Sequence, residues 1–159
     1  MPTTLSSSAQ KVQDALKALG YDNQVIEHEQ TTRTAQEAAD TIGCIVGQIV
    51  KSLIFKGKTS DKPVLVVASG PNRVNEKIIK QHLGEKITRP DADYVREHTG
   101  YAIGGIPPVG LPKTITTFVD TDLMQYSEVW AAAGTPCAVF KLTPQELVAM
   151  TDGTVIEIS

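Results

Sequence analysis

A lysine stands inside an apolar run, Ile49-Val-Lys-Ser-Leu-Ile-Phe55. Further along, four glycines and two prolines crowd into Gly100-Tyr-Ala-Ile-Gly-Gly-Ile-Pro-Pro-Val-Gly110. Read as a strand, the first segment puts Ile49, Lys51, Leu53 and Phe55 on one face and Val50, Ser52 and Ile54 on the other. Lys51 therefore shares a face with three large apolar side chains. That costs free energy unless the ammonium finds a partner, reaches solvent on its stem, or faces a pocket. A cation at a pocket mouth can meet a phosphate or polarise a carbonyl oxygen. In the second segment, Gly104 and Gly105 allow close approach of the backbone, and Pro107 and Pro108 stiffen the turn. Adjacent glycines can also aim N–H groups at one oxygen, although a tight turn between strands reads the same way.

Neither segment is a nucleotide-binding signature. The G-x-G-x-x-G spacing is absent, and no Gly-Lys-Ser/Thr follows the glycines. His28, His82 and His98 are scattered, without metal-ligand spacing or a neighbouring nucleophile pattern. Cys44 and Cys137 stand far apart and read as reduced, partly buried thiols. The small-residue run Trp130-Ala-Ala-Ala-Gly134 fits core packing, or the close approach of a substrate end. None of these residues forms a metal-binding or cofactor-binding motif.

The elements that must position these residues follow from periodicity and caps. Residues 8–20 carry a helical stripe (Val12, Ala15, Leu16, Leu19) that stops at Gly20, and residues 21–29 read as a short strand. Thr34-Ala-Gln-Glu37 is a capping box opening a helix that ends at Gly43. Residues 45–56 and 63–69 are β-branched runs joined by a hairpin-like connection, 57–62. Residues 75–83 and 91–98 read as helices, 114–119 as a strand and 120–126 as a helical turn. Residues 138–142 read as a strand leading into Thr143-Pro-Gln-Glu146, which opens a helix to Met150, and 154–158 closes as a strand. The order lacks a βαβ rhythm. It predicts an α+β fold with a mixed, barrel-like sheet flanked by helices, in one domain over residues 1–159.

The chain is 41% hydrophobic and 21% charged, as a soluble globular protein is. No apolar stretch approaches a membrane span and the N-terminus shows no secretory pattern, so a cytoplasmic location is expected. Net charge is −3, yet residues 51–90 hold nine basic and three acidic side chains, a +6 segment in a chain otherwise −9. Such a segment is either a set of solvated faces or a side that meets phosphates.

Val50-Lys51-Ser52-Leu53, followed at a distance by Thr99-Gly-Tyr-Ala-Ile-Gly-Gly-Ile-Pro-Pro-Val-Gly110, resembles the YbaK/ProX aminoacyl-tRNA deacylase family. This is the prolyl-tRNA editing domain, free-standing or inserted in prolyl-tRNA synthetase, and the likeness extends over nearly the whole chain. It implies cofactor-free hydrolysis of the ester between a wrong amino acid and the 3′ adenosine of a tRNA, most often tRNA(Pro). Lys51 matches the family's functional lysine. Gly104 and Pro108 match its G-x-x-x-P loop, which brings Gly105, Ile106, Pro107 and Gly110, with Ser52, into the expected substrate pocket. Mischarged tRNA is the implied partner and prolyl-tRNA synthetase a further one; neither membrane nor DNA is expected. Ser52 stands where some relatives have Asn, and Leu111 where some have His. A binding module of the same fold, gripping aminoacyl-tRNA or a synthetase without hydrolysis, is the alternative. A hydrolase for a small ester unrelated to tRNA is a third reading.

Overall fold

The helices begin where short polar side chains can accept the backbone N–H groups that a first turn leaves free. Thr34, Asn75, Asp91 and Thr143 each accept such a bond, opening α2 (Ala35–Ile42), α3 (Glu76–Leu83), α4 (Ala92–Thr99) and α5 (Pro144–Thr151). Before them, α1 (Ser7–Ala18) buries Ala9, Val12 and Leu16 along one stripe. The computed structural model describes residues 5–29, 34–111 and 115–159, so Thr114 of the expected 114–119 strand lies outside the described residues.

Among the described residues, eight strands form one mixed sheet: β1 (Val25–Glu27), β2 (Ile49–Gly57), β3 (Pro63–Ser69), β4 (Ile87–Thr88), β5 (Thr116–Asp120), β6 (Val129–Ala132), β7 (Ala138–Leu142) and β8 (Thr154–Ile156). Their order is β1-β7-β6-β2-β3-β5-β8, with β4 pairing β2 off that path. The α+β class and the mixed sheet are as expected. Among the described residues the ladder ends at β1 and β8 without joining them, so the barrel-like sheet is not a closed barrel.

The expected strand over 45–56 starts late, because Val46–Gln48 forms a 3₁₀ turn. Gly47 lies so close beneath Tyr126 that a Cβ there would collide with the phenol oxygen, and Ser69 Oγ donates to the Gly47 carbonyl at 2.6 Å. Those contacts hold the chain in a bend that a strand would straighten. Two strands escape sequence reading. β4 has two residues, and β6 runs through Val-Trp-Ala-Ala, with too few β-branched residues to announce itself.

Alternation along β2 and β3 divides the core between the faces of the sheet. Val50, Ile54, Leu65 and Val67 join the larger cluster with Val12, Leu16 and Phe140. Phe55, Val64, Val66 and Ala68 join the smaller one with Ile79 and Phe118. The face that carries Lys51 is the second. There α2 covers Ile49, with Trp130 packed alongside.

Candidate active site

Lys51 is held by a turn. The chain leaves β3 at Ser69, and Asn72 N–H returns to the Ser69 carbonyl at 2.9 Å. Lys51 Nζ donates to the Asn72 carbonyl at 2.6 Å. Asn72 is itself anchored, its side-chain amide donating to Asp120 Oδ2 at 2.8 Å and to Asp122 Oδ2 at 2.7 Å. Asp120, 1% exposed at the end of β5, also accepts the Ser69 N–H at 2.9 Å and the Asp122 N–H at 2.9 Å. A buried carboxylate therefore fixes the turn, and the turn fixes the lysine. Burial pulls the Lys51 ammonium below the ordinary lysine range; Arg73 pushes the same way and Asp120 opposes both.

The Asn72 bond uses one of three ammonium protons, leaving two for a ligand. Two cavities meet at this point. One, of about 540 Å³, is lined by Lys51, Arg73, Val74, Arg89 and Pro90; the other, of about 410 Å³, by Lys51, Ala35, Gly70, Gly104 and Trp130. Both volumes fall in the range of small-molecule sites, ~300–1,000 Å³. Ser52, Leu53, Ile103 and Ile106 border both cavities. Ser52 Oγ is buried with no hydrogen-bond partner among the described residues.

The glycine segment divides in two. Gly100 ends α4 with φ +82°, and Gly104, at φ +93°, turns the chain past the lysine. Gly105 lies against Gly134, whose N–H donates to the Gly105 carbonyl at 2.8 Å; a Cβ on Gly105 would stand 3.0 Å from the Gly134 carbonyl group. The Gly105 N–H donates to Ala102 O at 3.0 Å, so the two glycines do not offer a free pair of donors to one oxygen. Beyond Ile106 the segment turns inward. Pro107, Pro108 and Val109 are buried, and Pro108 and Gly110 border a separate cavity with Tyr21, Leu65 and Leu111. Of the residues singled out from sequence, Lys51, Ser52, Gly104 and Ile106 thus come together. Gly105, Pro107, Pro108 and Gly110 stand behind them.

Sequence reading passed over Asn72 and Asp120 as parts of the site. The available signal was an acid ending a β-branched run, with a second acid two residues later. Arg73 and Arg89 bring the basic segment to the mouth of the larger cavity. Cys137 borders neither cavity; its N–H bonds Thr135 Oγ1 at 3.1 Å.

The site is thus an open mixed sheet with a lysine fixed on the Asn72 turn and lining two cavities with Ile103 and Ile106. The aminoacyl-tRNA editing domain model matches residues 29–150, and the chain belongs to that family. It is 36% identical over 126 residues to the uncharacterized protein YwhH of Bacillus subtilis, covering 79% of this chain and 80% of that one. It is 26% identical to EbsC of Enterococcus faecalis, provisionally described as a Cys-tRNA(Pro)/Cys-tRNA(Cys) deacylase, over 79% of this chain and 77% of EbsC. A crystal structure provisionally described as a trans-editing enzyme for prolyl-tRNA synthetase superimposes with a TM-score of 0.92 at 44% identity, covering 98% of this chain and 99% of that one. A proline–tRNA ligase from Limosilactobacillus fermentum is 31% identical over 94 residues, which are 57% of this chain and 16% of the ligase.

Proposed function

We propose that this protein is a trans-editing deacylase. It hydrolyses the ester linking a small non-cognate amino acid to the 3′ adenosine of a tRNA, with tRNA(Pro) the foremost substrate and prolyl-tRNA synthetase the partner whose errors it corrects. Residues 1–159 act as one domain, in the cytoplasm where tRNA is charged. The observation that carries this reading is the Lys51 ammonium, fixed on Asn72 between two cavities beside Gly104.

In this mechanism Lys51 holds the acceptor end through its two remaining protons, on a phosphate or on the ester carbonyl. Gly104 and Ile106, with Ser52, bound the space left for the amino acid. Gly105, Pro107, Pro108 and Gly110 keep the segment in shape from behind. A water molecule adds to the ester carbonyl, or, where the amino acid is cysteine, its own thiol does so and forms a cyclic thioester that water then opens. The bond from the acyl carbon to the ribose oxygen breaks, and a proton goes to that oxygen, releasing free tRNA and, after hydrolysis, free amino acid. Within an apolar pocket one methyl or hydroxyl changes discrimination by only ~1–3 kcal/mol, so a narrow group of small amino acids is expected rather than one.

The test is deacylation of tRNA(Pro) charged separately with alanine, cysteine, serine, threonine and proline, with Lys51→Ala alongside. Hydrolysis of one or two non-cognate species, lost in the variant and sparing prolyl-tRNA, is the expected result. No hydrolysis of any species, with charged tRNA still bound, would transfer the protein to the binding-module reading.

A further inference from the structure

The free edge of β2 is the second unusual feature of the site. On one side β2 pairs antiparallel with β3 along its length. On its other side β6 covers only Ile49 and Val50, and β4 covers only Lys56 and Gly57. Among the described residues, 51–55 have a strand on one side only.

The phase of the β2–β3 ladder determines which backbone groups face the gap. Gly57 N–H donates to the Lys62 carbonyl at 2.9 Å, so Gly57 points toward β3. Backbone direction alternates along an antiparallel strand, so Phe55, Leu53 and Lys51 point the same way. Lys56, opposite Pro63, points outward, which suits a proline with no N–H to give; Lys58 N–H, in the same phase, donates to Lys86 O at 2.8 Å. Ser52 and Ile54 are then the residues whose N–H and C=O face the gap. No described residue bonds them there. The unpartnered Ser52 Oγ adds another orphan at the same position. Ile54 is buried and Ser52 half-buried, and backbone groups in such surroundings are rarely left unpaired, so this edge is suited to meet a ligand.

We propose that it reads an adenine ring. The Ser52 carbonyl and the Ile54 N–H lie two residues apart on one edge, an acceptor followed by a donor. Adenine presents the matching pair on adjacent positions, its N6 amino group as donor and N1 as acceptor. A peptide strand fits less well, because β6 and β4 close the gap at both ends and leave two outward residues. The cavity over the edge offers Val74, Pro90, Ile103 and Ile106 as apolar surface for a flat ring, with Arg73 and Arg89 placed for the phosphates of a nucleotide chain. In the deacylase reading, on which the identity of this base rests, the ring is the terminal adenine. The pairing would set the ester against Lys51 and the amino acid in the cavity beside Gly104.

The experiment compares the trinucleotides CCA and CCI, inosine replacing the last adenosine. Inosine carries a donor at N1 and an acceptor at O6, so it opposes both backbone groups while keeping ring shape and phosphates. Titration of ¹⁵N-labelled protein is expected to move the Ile54 amide resonance with CCA, and CCI is expected to bind at least tenfold more weakly. Equal binding of the two, or CCA binding that leaves Ile54 unmoved, would overturn the proposal. A mischarged tRNA ending in inosine separates this idea from the function. If it is hydrolysed as fast as the adenosine form, the adenine contact is wrong and the deacylase stands. If neither is hydrolysed while CCA is still preferred through Ile54, the adenine site stands and the deacylase reading fails.

Discussion

Residues 103–106 and 107–110 belong to one glycine-proline segment, yet they do opposite things. In the first half Ile103 and Ile106 border both cavities and Gly104 one of them, with Ile103 57% exposed. In the second half Pro107, Pro108 and Val109 are buried, Val109 in the main core with Leu65 and Phe140. Closeness in sequence therefore does not make the segment one functional unit. In the proposed function the outer half meets the ligand, and the inner half holds the outer half still. Substitutions in the two halves should separate activity from stability.

The largest effect is expected at Lys51, which lines both cavities with Ile103 and Ile106. Removing one preorganised donor from a reacting centre costs roughly 10²–10³ in rate, and Lys51→Ala is expected to fall in that range with its melting temperature at or above that of the parent. A rate loss matched by loss of fold would make Lys51 scaffold instead. Next is Val109→Ala in the inner half. It should cost about 2 kcal/mol of stability, from lost apolar burial and the small cavity left behind, while kcat/KM stays near the parent value wherever the variant is folded. Chemical denaturation with an activity assay on the folded fraction checks both. Ile103→Ala should do the reverse. Its stability change is expected within about 0.5 kcal/mol, as for exposed positions, with KM raised several-fold. A stability loss at Ile103 equal to that at Val109 would erase the division.

The same division explains what could be read from sequence. Lys51 was visible because a lone cation breaks an apolar alternation, and the glycine segment because glycine and proline mark backbone constraint directly. The caps on α2 and α5 were visible because a capping box is a contact between residues three apart. The Asn72–Asp120 support was not, because it exists only once β3 and β5 lie side by side in parallel register. Nor was the gap in the sheet. It depends on how early β6 ends and how short β4 is, and an alanine-rich strand and a two-residue strand leave little periodicity to detect. That Pro108 and Gly110 face a different cavity from Gly104 is likewise a property of the turn between them, not of their spacing.

The smallest effect, and the one that probes the lysine most directly, is its titration. Burial and Arg73 both disfavour the ammonium, against a weaker opposing pull from Asp120. In ¹³C-detected titrations Lys51 should therefore lose its proton below the ordinary lysine range, and Arg73→Ala should move it back toward that range. The sign carries over to stability. The folded chain binds this proton less tightly than the unfolded chain, so stability rises with pH between the lowered folded value and the unfolded value. Below that window the charge is a cost. Lys51→Met keeps the apolar stem and removes the charge, so it should be at least as stable as the parent at neutral pH, with the advantage shrinking as pH climbs through the window. A constant difference across that range would mean that the ammonium is not held under strain, and that the Asn72 carbonyl compensates fully for the water it displaced.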